Sequence, residues 1–171
     1  MANRVLTLSL CAALMGSVVA SAQPAKADTC ANRDARQALE LRVLQSELMV
    51  AALTCGQRQS YNAFVTTFKP FLKDQGAQLR TFFVEQYGLS DGPGRLNRMV
   101  TRLANTASQR SLNQSNQVFC EQAKARFDAV LSAPAQDLLH LARTNPSASD
   151  HGIRSCVEVA GAEKQPNPEK N

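Results

Sequence analysis

Four cysteines, Cys30, Cys55, Cys120 and Cys156, punctuate a chain whose apolar residues recur at helical spacing nearly throughout. Together these two features constrain the fold more than any other. No alternating run of β-branched residues suggests a strand, and no internal repeat is visible. Cys30 and Cys55 are 25 residues apart. If most of that stretch is helical, its ends lie more than about 30 Å apart, whereas a disulfide needs Cα atoms within about 7 Å. Cys30 and Cys55 therefore do not bond each other. In an up-down-up-down bundle the first helix ends where the fourth begins, which pairs Cys55 with Cys120 and leaves Cys30 for Cys156.

The first helix is expected from about Asp34 to Cys55. Leu41, Leu44, Leu48, Ala52 and Cys55 form one apolar set, and Leu39, Val43, Val50 and Leu53 form another on a different side. A helix apolar on two sides belongs between neighbours that cover both. The run "LMVAALTC" is too short to cross a bilayer and reads as the buried end of this central helix, with Gly56 as its left-handed stop. Cys55 sits inside that apolar run, so it reads as structural rather than reactive.

Tyr61, Phe64, Val65, Phe68, Phe71 and Leu72 make a second stripe, followed by Leu79, Phe82 and Phe83. Tyr61 to Leu79, Phe64 to Phe82 and Val65 to Phe83 are each 18 residues, five helical turns, so the two stripes are in phase. This favours one long helix over 58–87, kinked by Pro70 and loosened by Gly76. Breaking it in two around Lys73 to Gly76 would exchange the ends of the bundle and pair Cys30 with Cys120. Gly88 is expected to cap the long helix, with "SDGPG" (Ser90 to Gly94) as a loop.

A third helix is expected over about 94–108, with Leu96, Met99, Val100, Leu103, Ala104 and Ala107 on its apolar face. "SQRSLNQSNQ" reads as a connection. A fourth helix over about 117–133 carries Cys120, Ala123, Phe127, Val130 and Leu131. Pro134 opens a short fifth helix with Leu138, Leu139 and Leu141. After Asn145 the chain turns polar, with Cys156 as its single anchor, and 161–171 is expected to be disordered. The fold class is thus all-α: a disulfide-stapled helical bundle of about four main helices, the second long and kinked, plus a short fifth, forming a single domain over 28–160.

The N-terminus reads as an alanine-rich export signal of the bacterial type. Arg4 precedes the 16-residue apolar run "VLTLSLCAALMGSVVA", and small-x-small sites follow at "ASA" and "AKA". Cleavage is expected after Ala27, which removes residues 1–27. The apolar run is shorter than the roughly 20 residues of a spanning helix. Cys11 follows Leu10 rather than a small residue, which argues against a lipid anchor. Of 19 basic residues, Arg4 and Lys26 go with the leader, leaving 17 against 14 acidic and a net charge of +3. That mild excess does not describe a nucleic-acid binder, and no later segment is long and apolar enough to span a membrane. Four cysteines in an exported chain read as two disulfides, which places the protein in the periplasm or outside the cell.

The residues for familiar chemistries are sparse. His140 and His151 are the two histidines, and no metal site or cofactor is expected. The motifs G-x-S-x-G, G-x-G-x-x-G, H-E-x-x-H and the P-loop are missing from the sequence. Asp150 beside His151 is adjacent in sequence only, and neighbouring side chains do not by themselves face one another. Glu47 precedes the buried run and is the one carboxylate expected to be partly desolvated. Arg95, Arg98 and Arg102 share a face of the third helix, and twelve of the 17 basic residues after the leader are arginine, the residue suited to bidentate contact with carboxylate or phosphate. The expectation is a non-catalytic exported protein that binds an envelope protein, an anionic polymer or a lipid head group through that arginine face. An enzyme using Glu47 and a carrier holding an apolar ligand between the helices are the alternatives.

Overall fold

The structure is a computed structural model and describes residues 29–156. The leader over 1–27 and the tail over 161–171 lie outside the described residues. Helix α1, Arg33–Thr54, starts where the Asn32 side chain accepts a hydrogen bond from the Ala35 N–H at 2.9 Å. It ends at Cys55, whose N–H donates to the Ala51 carbonyl, and at Gly56, which takes φ 69°.

Thirteen of its 22 residues are buried because α1 runs between two apolar clusters. Leu41, Leu44 and Leu48 pack with Phe64, Phe127 and Leu138 in one. Ala35, Leu39 and Val43 pack with Phe82, Met99 and Leu103 in the other. The two-sided pattern of α1 is therefore the pattern of a central helix.

Helix α2 covers Arg58–Thr67 and α3 covers Lys69–Leu112. Pro70 has no N–H to give the Thr66 carbonyl, and the chain bends at Phe68, where φ is −99°. The ladder resumes at once, with Phe68 N–H on Phe64 O and Leu72 N–H on Phe68 O. The in-phase stripe is real, but it serves both clusters. Phe64 and Phe68 join the first, and Leu79, Phe82 and Phe83 join the second.

Gly88 interrupts α3 with φ 79° and ψ 167°, a backbone region essentially restricted to glycine. There the chain reverses, and arm 89–112 packs back along arm 69–87. The sequence expectation of a loop at "SDGPG" is wrong: Ser90 to Gly94 are helical. One glycine makes the whole turn, and Pro93, five residues on and inside the helix, leaves the Leu89 carbonyl without its i→i−4 donor. Gly92 is buried against the first arm; a Cβ on it would lie 2.8 Å from the Phe83 carbonyl oxygen.

The expected connection at Ser108 to Gln117 is also mostly helical. Helix α3 continues to Leu112, only 113–115 link it to α4, Asn116–Ser132, and the Ser115 hydroxyl caps α4 on Val118 N–H. After Pro134 a 3₁₀ turn, Ala135–Asp137, leads into α5, Leu138–Thr144.

The segment after Asn145 is not held by Cys156 alone. Asn145, Ser147 and His151 are buried, and the 3₁₀ turn Ala148–His151 packs on α1. Two-residue strands β1, Cys30–Ala31, and β2, Arg154–Ser155, pair in parallel, the one departure from all-helical expectation among the described residues. Disulfides join Cys55 to Cys120, with Cα atoms 5.5 Å apart, and Cys30 to Cys156, at 4.8 Å. The pairing follows from helix direction as argued above. Among the described residues no helix is long and apolar enough to cross a membrane.

Candidate functional site

Glu47 is 9% exposed, as its place before "LMVAALTC" implied, but it is not free. Arg110, in the last turn of α3, donates from Nη1 to Oε1 at 2.7 Å. Arg126 of α4 and Asn145 beyond α5 donate to Oε2 at 2.8 and 2.6 Å. Arg110 Nη2 also donates to Asp150. One carboxylate thus ties together α1, α3, α4 and the segment after α5. Both oxygens are committed to charge-assisted bonds, which suits a structural tie better than proton transfer. A cavity of about 330 Å³ opens beside it, walled by Leu48, Ala51, Phe119 and Ala123.

The Asp150 carboxylate turns to Arg110, so Asp150 and His151 form no acid–base pair. His151 is buried and its Nδ1 accepts from Ile153 N–H at 3.1 Å. Burial pushes its pKa below the ordinary 6.5, with Asp150 opposing and Arg102 assisting. His140 is exposed on α5. Among the described residues no three His, Cys, Asp or Glu side chains are grouped to hold a metal ion. Of the phenylalanines in "YNAFVTTFKPFL", Phe64 and Phe68 are buried core and Phe71 packs half-buried against them.

The arginine face gains shape in three dimensions. Arg95, Arg98 and Arg102 line one recess of about 310 Å³, together with Tyr87, Phe83 and the chain at Gly152. Arg95 stacks over the Tyr87 ring with its guanidinium carbon 4.7 Å from the centroid. Arg102 donates from Nη2 to the His151 carbonyl at 2.8 Å, which holds the far wall. No acidic side chain lines the recess, and none of the three arginines joins an ion pair among the described residues.

Sequence spacing placed the three arginines on one face. It missed Tyr87 and the His151–Ile153 wall, which arrive from the far side of a glycine turn and from the C-terminal segment. It also missed Arg110, Arg126 and Asn145 as partners of Glu47, since those contacts span 63, 79 and 98 residues. No protein-family model, curated protein or solved structure matches the chain.

Proposed function

We propose that this chain is an exported, non-catalytic helical protein of the bacterial periplasm that binds an anionic component of the cell envelope in the recess of Arg95, Arg98 and Arg102. The observation that carries this reading is the convergence of three exposed arginines on one concave site that no carboxylate lines. A guanidinium presents a planar fork of donors to a carboxylate or phosphate, and the Tyr87 ring holds Arg95 in place for such contact. Export is supported by the leader-like N-terminus and by two disulfides, which persist in oxidising compartments. The commitment of both Glu47 oxygens speaks against the catalytic alternative.

The test is binding of the oxidised protein to two defined probes: phosphatidylglycerol vesicles and polyglutamate, each at low and high salt. At least one is expected to bind in a salt-sensitive way, and the R95Q/R98Q/R102Q variant is expected to lose that binding while Glu47→Gln retains it. Capture of neither probe, or equal capture by the triple variant, overturns the reading. Which probe is retained distinguishes a phosphate from a carboxylate source.

A further inference from the structure

A second cationic cavity lies on the other side of the returning arm of α3. Its volume is about 410 Å³, within the range of small-molecule sites. Arg42 interrupts the apolar surface of α1 there, between Leu41 and Val43. It donates from Nη1 to Gln45 Oε1 at 2.7 Å but joins no ion pair among the described residues. Its Nε is sealed in the wall without a hydrogen-bond partner. Burial pushes its guanidinium below the ordinary arginine value, with Tyr61 opposing. Gln75, on the first arm of α3, also lines the cavity, and its Oε1 is likewise buried without a partner among the described residues.

Buried polar groups without partners are rare in folded proteins, and two on residues that line one cavity ask for an explanation. Lys73 and Arg80 add positive charge at its exposed side, and no acidic residue lines it. Leu72, Leu79, Leu96 and Val100 make the rest of the wall apolar.

We propose that this cavity binds a small hydroxy-carboxylate with an apolar body. The carboxylate accepts from Arg42 Nη2, the terminal nitrogen that makes no hydrogen bond among the described residues. The hydroxyl donates to Gln75 Oε1, which has no existing bond to lose when the amide turns about its last, soft torsion. The apolar body lies on Leu79, Leu96 and Val100. Three cations and no lining carboxylate disfavour the ammonium of an amino acid, so the site discriminates a hydroxy acid from its amino analogue. This site is separate from the recess at Arg95, and its failure leaves that reading untouched.

The experiment is calorimetric titration of the oxidised protein with three nearly isosteric probes: 2-hydroxyoctanoate, octanoate and 2-aminooctanoate. Binding is expected to be tightest for 2-hydroxyoctanoate, roughly 3- to 10-fold tighter than for octanoate, and weakest for the amino acid. Arg42→Gln should weaken 2-hydroxyoctanoate by about 10- to 100-fold, the worth of one charge-assisted bond. Gln75→Leu should erase the hydroxyl preference and leave octanoate binding in place, a readout that does not depend on the Arg42 variant folding. The proposal is overturned if the wild-type protein binds none of the probes in the millimolar range, if it binds all three alike, or if both variants titrate as wild type.

Discussion

Replacing Glu47 by Gln keeps the size and shape of the side chain and removes its charge. The carboxylate takes three hydrogen bonds, from Arg110, Arg126 and Asn145, while the amide has one oxygen and two N–H groups. If that oxygen keeps Arg110, the amide N–H groups face the Arg126 guanidinium and the Asn145 amide, donor against donor. Two bonds are lost, one of them charge-to-charge. Hydrogen bonds to charged groups contribute about 1.5–3 kcal/mol each, and breaking a buried ion pair costs about 3–5 kcal/mol. Arg110 and Arg126 are 40% and 36% exposed, so water reclaims part of what they lose. The net expectation is a destabilisation of about 2–3 kcal/mol after that discount. Urea unfolding near neutral pH measures it, with the midpoint falling and the slope unchanged. A loss below about 0.5 kcal/mol, the level of an ordinary surface substitution, would refute the claim that Glu47 is the polar tie of the bundle.

Five further outcomes follow from the same geometry. Gly92→Ala pushes a methyl into the Phe83 carbonyl and should destabilise by about 1–3 kcal/mol. Gly76→Ala, whose nearest neighbour is the mobile end of Arg80 at 3.7 Å, should stabilise by about 0.5–1 kcal/mol in the same urea assay. Burial raises the Glu40 carboxyl above its ordinary 4.5, against Arg36 and Arg143. Its contribution is therefore complete below that value and is lost as pH rises through the folded-state pKa. Glu40→Gln should flatten that decline and be the more stable protein near neutrality; a variant less stable there contradicts the assignment. For His151 the sign reverses: its contribution is complete above 6.5 and is lost as pH falls through the lowered folded-state value. His151→Asn, which can still accept from Ile153 N–H, should remove that acid-side loss from the pH profile of the urea midpoint. Replacing Cys55 and Cys120 by Ala should cost about 4 kcal/mol on the chain-entropy model for a 65-residue separation, and a cost near zero would mean that other contacts already hold the two helix ends together.

The parts of the fold legible in the sequence were those set by helical periodicity and chain direction. Two apolar sets on α1 predicted a helix covered on both sides, and two clusters cover it, but the covering stops at Ala52: Leu53 of the second set, expected to be buried, is 61% exposed at the helix end. Helix length excluded Cys30–Cys55, and reading 58–87 as one run selected the observed pairs over Cys30–Cys120. Where the reading failed, tertiary context overrode local composition. Ser90 to Gly94 look like a loop, yet Gly88 makes the reversal by itself and frees the following residues to be helical. The polar run after Asn145 looks like a tail, yet Asn145 reaches a carboxylate 98 residues away, and hydrogen bonding offsets the cost of burying it. No periodicity argument reveals such a contact. The arginine trio was visible because its members share one helix face; Tyr87 and Ile153, which give it walls, were not. Arg42 was passed over because a charge within an apolar stretch carries no signal until its lack of a partner is seen.

The most direct measurement is amide chemical-shift mapping of the ¹⁵N-labelled, oxidised protein titrated with polyglutamate and, separately, with phosphatidylglycerol nanodiscs, both too bulky to enter the Arg42 cavity. The account predicts saturable shifts concentrated at Tyr87, Arg95, Arg98, Arg102 and Ile153 that weaken as salt is added. Shifts scattered over the other basic residues, or none at all, would contradict it.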